Sequence, residues 1–321
     1  MSVNVELLIQ QGDKIFSPII EEGITWTTER KGCPSELKFN VVKDDIVTFQ
    51  EGNAVTLKVN GEKVFYGFVF TKKRNKDQII TVTAYDQLRY LKNKDTYVYE
   101  NKTASELIEM IATDFRLKTG TITETKYKIE SRIEENTSLF DMIQNALDLT
   151  LENEKQMYVM YDDFGEITLK SLTDMQTNLL IDEETGEDFD YTSSIDNQTY
   201  NKVKLTYDNE DTGTREVYVA QHGENMNHWG ILQYFDTLKE GEDGAAKAEA
   251  LLSLYNKKTR NLSIQNVFGD LRIRAGSMVA VMLNLGDMTI KNYMLVEKCK
   301  HEFKESQHFM TLTLRGGEFI A

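Results

Sequence analysis

The chain has 321 residues, 40% of them hydrophobic and 10% aromatic, and a formal net charge of -15. That length and apolar content suit two or three packed domains and exclude a disordered polymer. The charge excludes nucleic acid as a ligand, because affinity for a phosphate backbone comes from Lys and Arg, although an acidic wall would let a polyanion pass without sticking.

No targeting or membrane segment is apparent. The longest apolar run, Met278 to Leu283, is far below the roughly 20 residues of a membrane span. The start Met1-Ser2-Val3-Asn4-Val5-Glu6 lacks the basic and apolar regions of a signal peptide. A product made in the cytoplasm without membrane insertion is therefore expected.

Residues 3 to 92 read as strands. Val3, Val5 and Leu7 alternate with polar residues, as do Leu37, Phe39 and Val41, which puts each set on one face of a sheet. Asn60-Gly61, between Ala54 to Val59 and Lys63 to Phe70, predicts a tight type I′ hairpin turn. From about Asn93 the period becomes helical. Thr103-Ala-Ser-Glu106 is a capping box, followed by the apolar stripe Leu107, Ile108, Ile111, Ala112 and Phe115, with Lys118-Thr119-Gly120 as the expected stop. A second amphipathic helix begins near Thr137 or Ser138 with Leu139, Phe140, Ile143, Ala146 and Leu147. A hairpin over Gln156 to Leu172, turning at Asp162-Asp163-Phe164-Gly165, gives both stripes a sheet to cover. The acidic stretch Asp182 to Asp188 is expected to be a linker or an exposed loop. Strands resume at Asn201 to Tyr207 and Arg215 to Gln221, and a helix over Asp243 to Lys258 carries Ala245, Ala248, Leu251, Leu252 and Tyr255.

One pattern occurs twice. Gly52-Asn-Ala-Val55-Thr-Leu57-Lys-Val59-Asn60 matches Gly276-Ser-Met-Val279-Ala-Val281-Met-Leu283-Asn284. Tyr66-Gly-Phe68-Val69 then matches Tyr293-Met-Leu295-Val296, and Ile80-Thr81-Val82-Thr83 matches Met310-Thr311-Leu312-Thr313. Strand periodicity does not require shared Gly, Asn, Tyr and Thr landmarks in one order, so a duplicated three-strand unit is expected. Polar Thr56 and Lys58 become Ala280 and Met282 in the second copy, which predicts that this face is covered there, by the Asp243 to Lys258 helix or by a partner.

No catalytic, cofactor-binding or metal-binding residue stands out. His222, His228, His301 and His308 fit no nucleophile or zinc motif, and His301 and His308 read as surface residues flanking the last hairpin turn. Asp208 to Gly213 has an EF-hand-like glycine but Val219 where a bidentate Glu is needed. Asp162 and Asp163 read as turn formers rather than a glycosidase pair. Cys33 and Cys299 belong to no ligand motif and read as packing residues. Phosphate loops, nucleophile elbows and dinucleotide fingerprints are absent. The expectation is a protein that is not an enzyme.

The order of these elements also carries a resemblance. Thr81-Val-Thr-Ala-Tyr85-Asp86-Gln-Leu88-Arg-Tyr90-Leu91, the Thr103-Ala-Ser-Glu106 helix, Leu117-Lys-Thr-Gly120, Ser138-Leu139-Phe140-Asp141, Tyr158-Val-Met-Tyr161, His228-Trp229-Gly230 and the Gly276 to Met310 region together resemble the XkdQ/YqbQ family of phage tail proteins, over essentially the whole chain. The resemblance implies a mostly β fold with an α+β insert: a first β-barrel-like tube module over 1–92, a helix-containing middle domain over 93–187, and a second such module over 188–321 with one helix near 243–258. It implies a baseplate hub of a contractile tail or phage-tail-like bacteriocin, without cofactors. A homotrimer would present six modules as a quasi-sixfold ring, joining the hexameric tail tube protein to the threefold spike, with other baseplate proteins and a tape measure protein as neighbours. A distal-tail or adaptor ring protein and a cell-wall hydrolase of the tail tip remain open as alternatives.

Overall fold

A computed structural model describes residues 2–43, 48–186, 188–196, 198–209, 213–238, 243–284 and 289–316. Glu187 of the acidic stretch and positions 210–212 of the Asp208 to Gly213 segment lie outside the described residues. Contacts divide the chain into two compact units, Met1–Asp190 with Leu262–Ala321, and Tyr191–Asn261.

The first strands are β1 (Val5–Gln11), β2 (Lys14–Phe16), β3 (Ile20–Glu29), β4 (Glu36–Val42), β5 (Ala54–Val59), β6 (Glu62–Arg74) and β7 (Ile79–Tyr85). Alternation buries Leu7 and Ile9 of β1, Leu37, Phe39 and Val41 of β4, and Val55, Leu57 and Val59 of β5 in one core. The turn between β5 and β6 has Asn60 at φ 52° and Gly61 at φ 84°, the two positive φ values that Asn-Gly supplies for a type I′ turn.

The middle segment contains β8 (Lys94–Lys102), α1 (Ala104–Asp114), β9 (Thr119–Ile122), β10 (Ile129–Ser138), α2 (Leu139–Glu154), β11 (Tyr158–Asp162) and β12 (Ile167–Ser171). The capping box forms as expected: Thr103 Oγ1 accepts from the Glu106 amide, and the Glu106 carboxylate accepts from the Thr103 amide. Ser138 caps α2. The apolar stripes of both helices share a core with Tyr97 and Tyr99 of β8 and Ile167 and Leu169 of β12. The stop of α1 differs from expectation. The helix ends at Asp114, and Arg116 rather than Gly120 takes the left-handed conformation, at φ 54°. Gly120 lies in β9, paired parallel with β12, where an added Cβ would press on the Glu166 side chain.

Then follow β13 (Gln176–Ile181), β14 (Asp188–Ser194), β15 (Lys202–Asn209), β16 (Thr214–Gln221), α3 (Gly223–Trp229), β17 (Gln233–Thr237), α4 (Gly244–Tyr255), β18 (Thr259–Phe268), β19 (Met278–Asn284), β20 (Thr289–Lys304) and β21 (Gln307–Gly316). In the Tyr191–Asn261 unit, α4 packs Ala248, Leu251 and Leu252 on Val203, Leu205 and Ala220 of the β16-β15-β17 sheet. The chain thus places β15 to α4 between β14 and β18.

Strand order makes the duplication larger than three strands. The path β3-β4-β7-β6-β5-β1 has the same connectivity as β14-β18-β21-β20-β19-β13. The difference is at the last strand, where β1 runs antiparallel to β5 but β13 runs parallel to β19. The two paths join through β20 and β3 into one sheet of 13 described strands. The mostly β fold with two similar modules is as expected; among the described residues each module is an open six-strand path, and no barrel closes.

The repeat is matched at individual atoms. The Gly52 amide donates to the Val69 carbonyl (2.8 Å) and the Val69 amide to the Asn53 carbonyl (2.9 Å); Gly276, Val296 and Ser277 make the same pair of bonds at 2.8 and 2.9 Å. The ladder slips by one residue directly after each valine, leaving Phe70 and Glu297 as equivalent bulge residues. Both glycines have positive φ, 84° and 95°. Only Gly276 is also crowded: a Cβ there would lie 2.4 Å from Val159 of β11, whereas nothing lies within 4 Å at Gly52. Gly52→Ala is expected to cost about 1 to 2 kcal/mol of backbone strain, and Gly276→Ala clearly more, as read by urea denaturation. Equal costs would show that the β11 contact is not tight.

Candidate assembly interface

The residues that position the two modules lie where β20 meets β3. Lys298 pairs with Glu29, Cys299 with Thr28, Lys300 with Thr27, His301 with Trp26 and Phe303 with Ile24 in an antiparallel ladder. At its end the Glu297 carbonyl accepts the Arg30 amide (3.0 Å). The Arg30 guanidinium grips the Glu297 carboxylate with two bonds of 2.8 and 2.9 Å, and its side chain is only 6% exposed. Lys298 Nζ reaches Glu29 at 2.5 Å, and the Ala275 amide donates to Thr28 Oγ1 (2.8 Å). Backbone pairing sets the register, and the bidentate pair adds a geometric lock.

Two of the four histidines serve this joint. His301 is fully buried, contrary to the expected surface position, and its ring stacks on Trp26 at 4.6 Å. Its Nε2 lies 2.9 Å from the Ile273 carbonyl, which can only accept, so Nε2 carries the proton and Nδ1 accepts from His308 Nε2 at 2.8 Å. Burial, reinforced by His308, pushes His301 down to about 3, and burial pushes His308 down to about 4. Cys299 packs beside them, buried, with its thiol raised by desolvation. His222 instead caps α3 through Nδ1, accepting from the Asn225 amide (3.2 Å), and His228 lies in the last turn of that helix.

A buried charge cluster ties the middle segment to both modules. Arg274 is half-buried with its Nε fully enclosed, its guanidinium 3.9 Å from the Tyr161 ring centroid and 5.8 Å from that of Trp26, and it donates to the Asp162 carbonyl (2.8 Å). Burial holds the carboxyls of Asp86 and Asp162 above the usual carboxylate range. Asp86 accepts from the Ser35 and Leu88 amides, which suits the ionised form opposite Arg274. Asp162 Oδ1 accepts from the Gly165 amide, as the turn reading required, while Oδ2 is buried without a partner and suits the protonated form.

The outer faces differ between copies. In the first, Tyr66 lies across from Thr56 and is covered by the β11–β12 turn, with Phe164 at 5.9 Å and Lys63 Nζ over Phe164 at 5.0 Å. Lys58 pairs with Glu6 at 3.2 Å. In the second, Leu180, Ala280 and Tyr293 form one row across three strands. Leu180 is 42%, Met282 47% and Tyr293 36% exposed. The expected cover by the Asp243 to Lys258 helix is therefore corrected, because α4 spends its apolar face on β15 and β16.

Sequence reasoning missed Arg30, Glu297, Arg274 and Asp86. Arg30 and Glu297 stand 267 positions apart, a pairing with no local signal. The one available hint was the bulge position itself, since Glu297 is the charged counterpart of Phe70.

A family profile described as YQBQ-like matches residues 24–315. The XkdQ protein of the phage-like element PBSX from Bacillus subtilis (strain 168) is 29% identical over 320 residues, covering 96% of each chain. Among solved structures, the prophage MuSo2 43 kDa tail protein from Shewanella oneidensis superposes with a TM-score of 0.72 at 13% identity, covering 98% of this chain and 100% of that one. The E. coli c3393 protein, described as a type VI secretion component with structural similarity to the T4 bacteriophage tail proteins gp27 and gp5, gives 0.62 at 10% identity over 98% and 78%.

Two measurements probe the joint. Glu297→Met is expected to cost about 2 kcal/mol, because it leaves the largely buried Arg30 guanidinium without its carboxylate, and Arg30→Met less, because Arg315 Nη1 still lies 3.7 Å from the Glu297 carboxylate; the double variant should cost less than the sum. Additive costs would mean that the pair does not couple. The unfolded chain binds the His301 proton near pH 6.5 but the folded chain only near 3, so this contribution is complete above 6.5 and is lost as pH falls. The stability gap between wild type and His301→Phe should narrow by about 2 kcal/mol from pH 7.5 to 5, at about 1.4 kcal/mol per pH unit. A gap that does not change with pH would mean that His301 titrates normally.

Proposed function

Since the chain belongs to the YQBQ-like family and has the fold of phage tail proteins, we propose that it is a structural hub of a phage-tail-like baseplate. Three copies form a ring that meets the hexameric tail tube on one side and the threefold spike on the other. The observation that carries this reading is the six-strand module used twice in one chain with the same strand order. Three chains then present six equivalent modules, which reconciles threefold with sixfold neighbours. The similarity to gp27 and gp5 described for the E. coli protein supports the hub position.

The role is geometric and needs no catalysis. The open row Leu180, Ala280 and Tyr293, with Met282 beside it, is the surface for a neighbouring protein in the particle, since its counterpart in the first module is covered within the chain. The test is complementation of a deletion strain that produces particles. The unaltered chain should restore complete tails and occur as three copies in the reconstructed baseplate. Met282→Lys with Tyr293→Lys should leave the monomer's unfolding free energy within about 0.5 kcal/mol while lowering the yield of complete tails at least tenfold. Six copies per particle would point to an adaptor ring instead, and full yield from the double variant would remove this surface from assembly.

A further inference from the structure

The joint inside the chain has an unfilled counterpart. Because Val69 corresponds to Val296, the segment Phe70–Arg74 of β6 corresponds to Glu297–His301 of β20. In the second module that segment is paired on both sides, with β21 on one and β3 on the other. In the first module it pairs with β7 on one side, and among the described residues no strand pairs with the other. The strand in the second module that takes the place of β3 is β14, which ends the sheet path and, among the described residues, has β18 as its one neighbour. Each chain therefore presents one unfilled acceptor edge and one unused donor strand, and the internal β20·β3 ladder shows how such a pair fits.

Charge favours the same match. The acceptor edge reads Thr71-Lys72-Lys73-Arg74 on a chain of net charge -15, and Lys73 and Arg74 are exposed. The donor strand begins Asp188-Phe189-Asp190, with all three exposed. The internal joint has one pair of the same sense, Lys298 of β20 with Glu29 of β3, while its second pair, Arg30 with Glu297, has the signs reversed.

We propose that β14 of one copy adds as an antiparallel strand to the Phe70–Arg74 edge of β6 in a second copy of this chain, repeating between chains the pairing that β20 and β3 make within one. Donor and acceptor are different surfaces, so the contact is head-to-tail and either closes a ring or runs on as a filament. The proposal rests on the ring reading above for closure at three copies, where external joints alternate with internal ones. Edge-strand addition needs no preformed pocket, because the backbone amides and carbonyls already supply the hydrogen bonds.

Cysteine trapping tests it. In a Cys33→Ser background, one full-length chain carries Thr71→Cys and another carries Thr192→Cys, Ser193→Cys or Ser194→Cys in turn. On mild oxidation, the mixture with the matching position should form a disulfide-linked dimer at least tenfold faster than either chain alone. A chain carrying both substitutions should give a ladder that stops at three. Lys73→Glu with Arg74→Glu should slow trapping about tenfold, and Asp188→Lys with Asp190→Lys in the partner should restore it. If no mixture links faster than its single-cysteine controls, the joint is wrong. Trimers seen by native mass spectrometry without such a link would remove the joint and leave the threefold reading intact. A ladder running past three would keep the joint and remove threefold closure.

Discussion

A strand edge is a row of unpaired amides and carbonyls, and two open six-strand paths in one chain would expose four such edges. Pairing β3 with the Lys298–Phe303 part of β20 covers one of them within the molecule, together with the side of that interior strand that β19 leaves unpaired, and converts two modules into one sheet. Everything else that positions the modules is anchored on that ladder. Arg30 and Glu297 fix its end, Trp26 and His301 stack across it, and Arg274 reaches from beside it to the turn of β11. The middle segment packs against both copies, through Phe164 on Tyr66 and Val159 on Gly276. It therefore holds the sheet from one face while the ladder holds it edge to edge.

The duplicated module is informative because identical backbone is put to different use. Both bulges turn one side chain at the same place after the same valine. In the second copy that residue is Glu297, a carboxylate gripped across the internal joint. In the first it is Phe70, which packs on Tyr85 and Tyr90 with ring centroids 5.5 and 6.0 Å away. The polar grip stands where a partner strand is already in place, and the aromatic packing stands beside an edge still open. The same asymmetry appears on the outer faces, where Tyr66 is covered by the chain's own turn and Tyr293 is not.

Much of this was legible in the sequence because it is local. Asn60-Gly61 specified its hairpin, Thr103 with Glu106 specified a helix start, and the landmarks at Gly52 and Gly276 aligned strands that the structure pairs residue for residue. What could not be read depends on distant partners. Whether a module closes into a barrel or opens onto a neighbour is decided by β20 and β3, separated by most of the chain. The burial of His301 follows from that same pairing, so a histidine near a hairpin turn looked like a surface residue. Arg116 ending α1 in place of Gly120 shows a different limit: tertiary packing of β9 against β12 claimed the glycine first. The helix at 244–255 was recognised, but its partner sheet was not, because an amphipathic stripe states that a face is buried and not what buries it.

The central claim is that the two modules share one continuous ladder, and backbone hydrogen exchange of the isolated chain measures it directly. Amides of β3 from Ile24 to Glu29 and of β20 from Lys298 to Phe303 should exchange as slowly as those of the interior strands β4 and β7. The open edges, β14 and the outer side of β6 beyond Phe70, should exchange much faster. Rapid exchange across β3 and β20, at the rate of those open edges, would mean that the modules are separate sheets and would contradict the account.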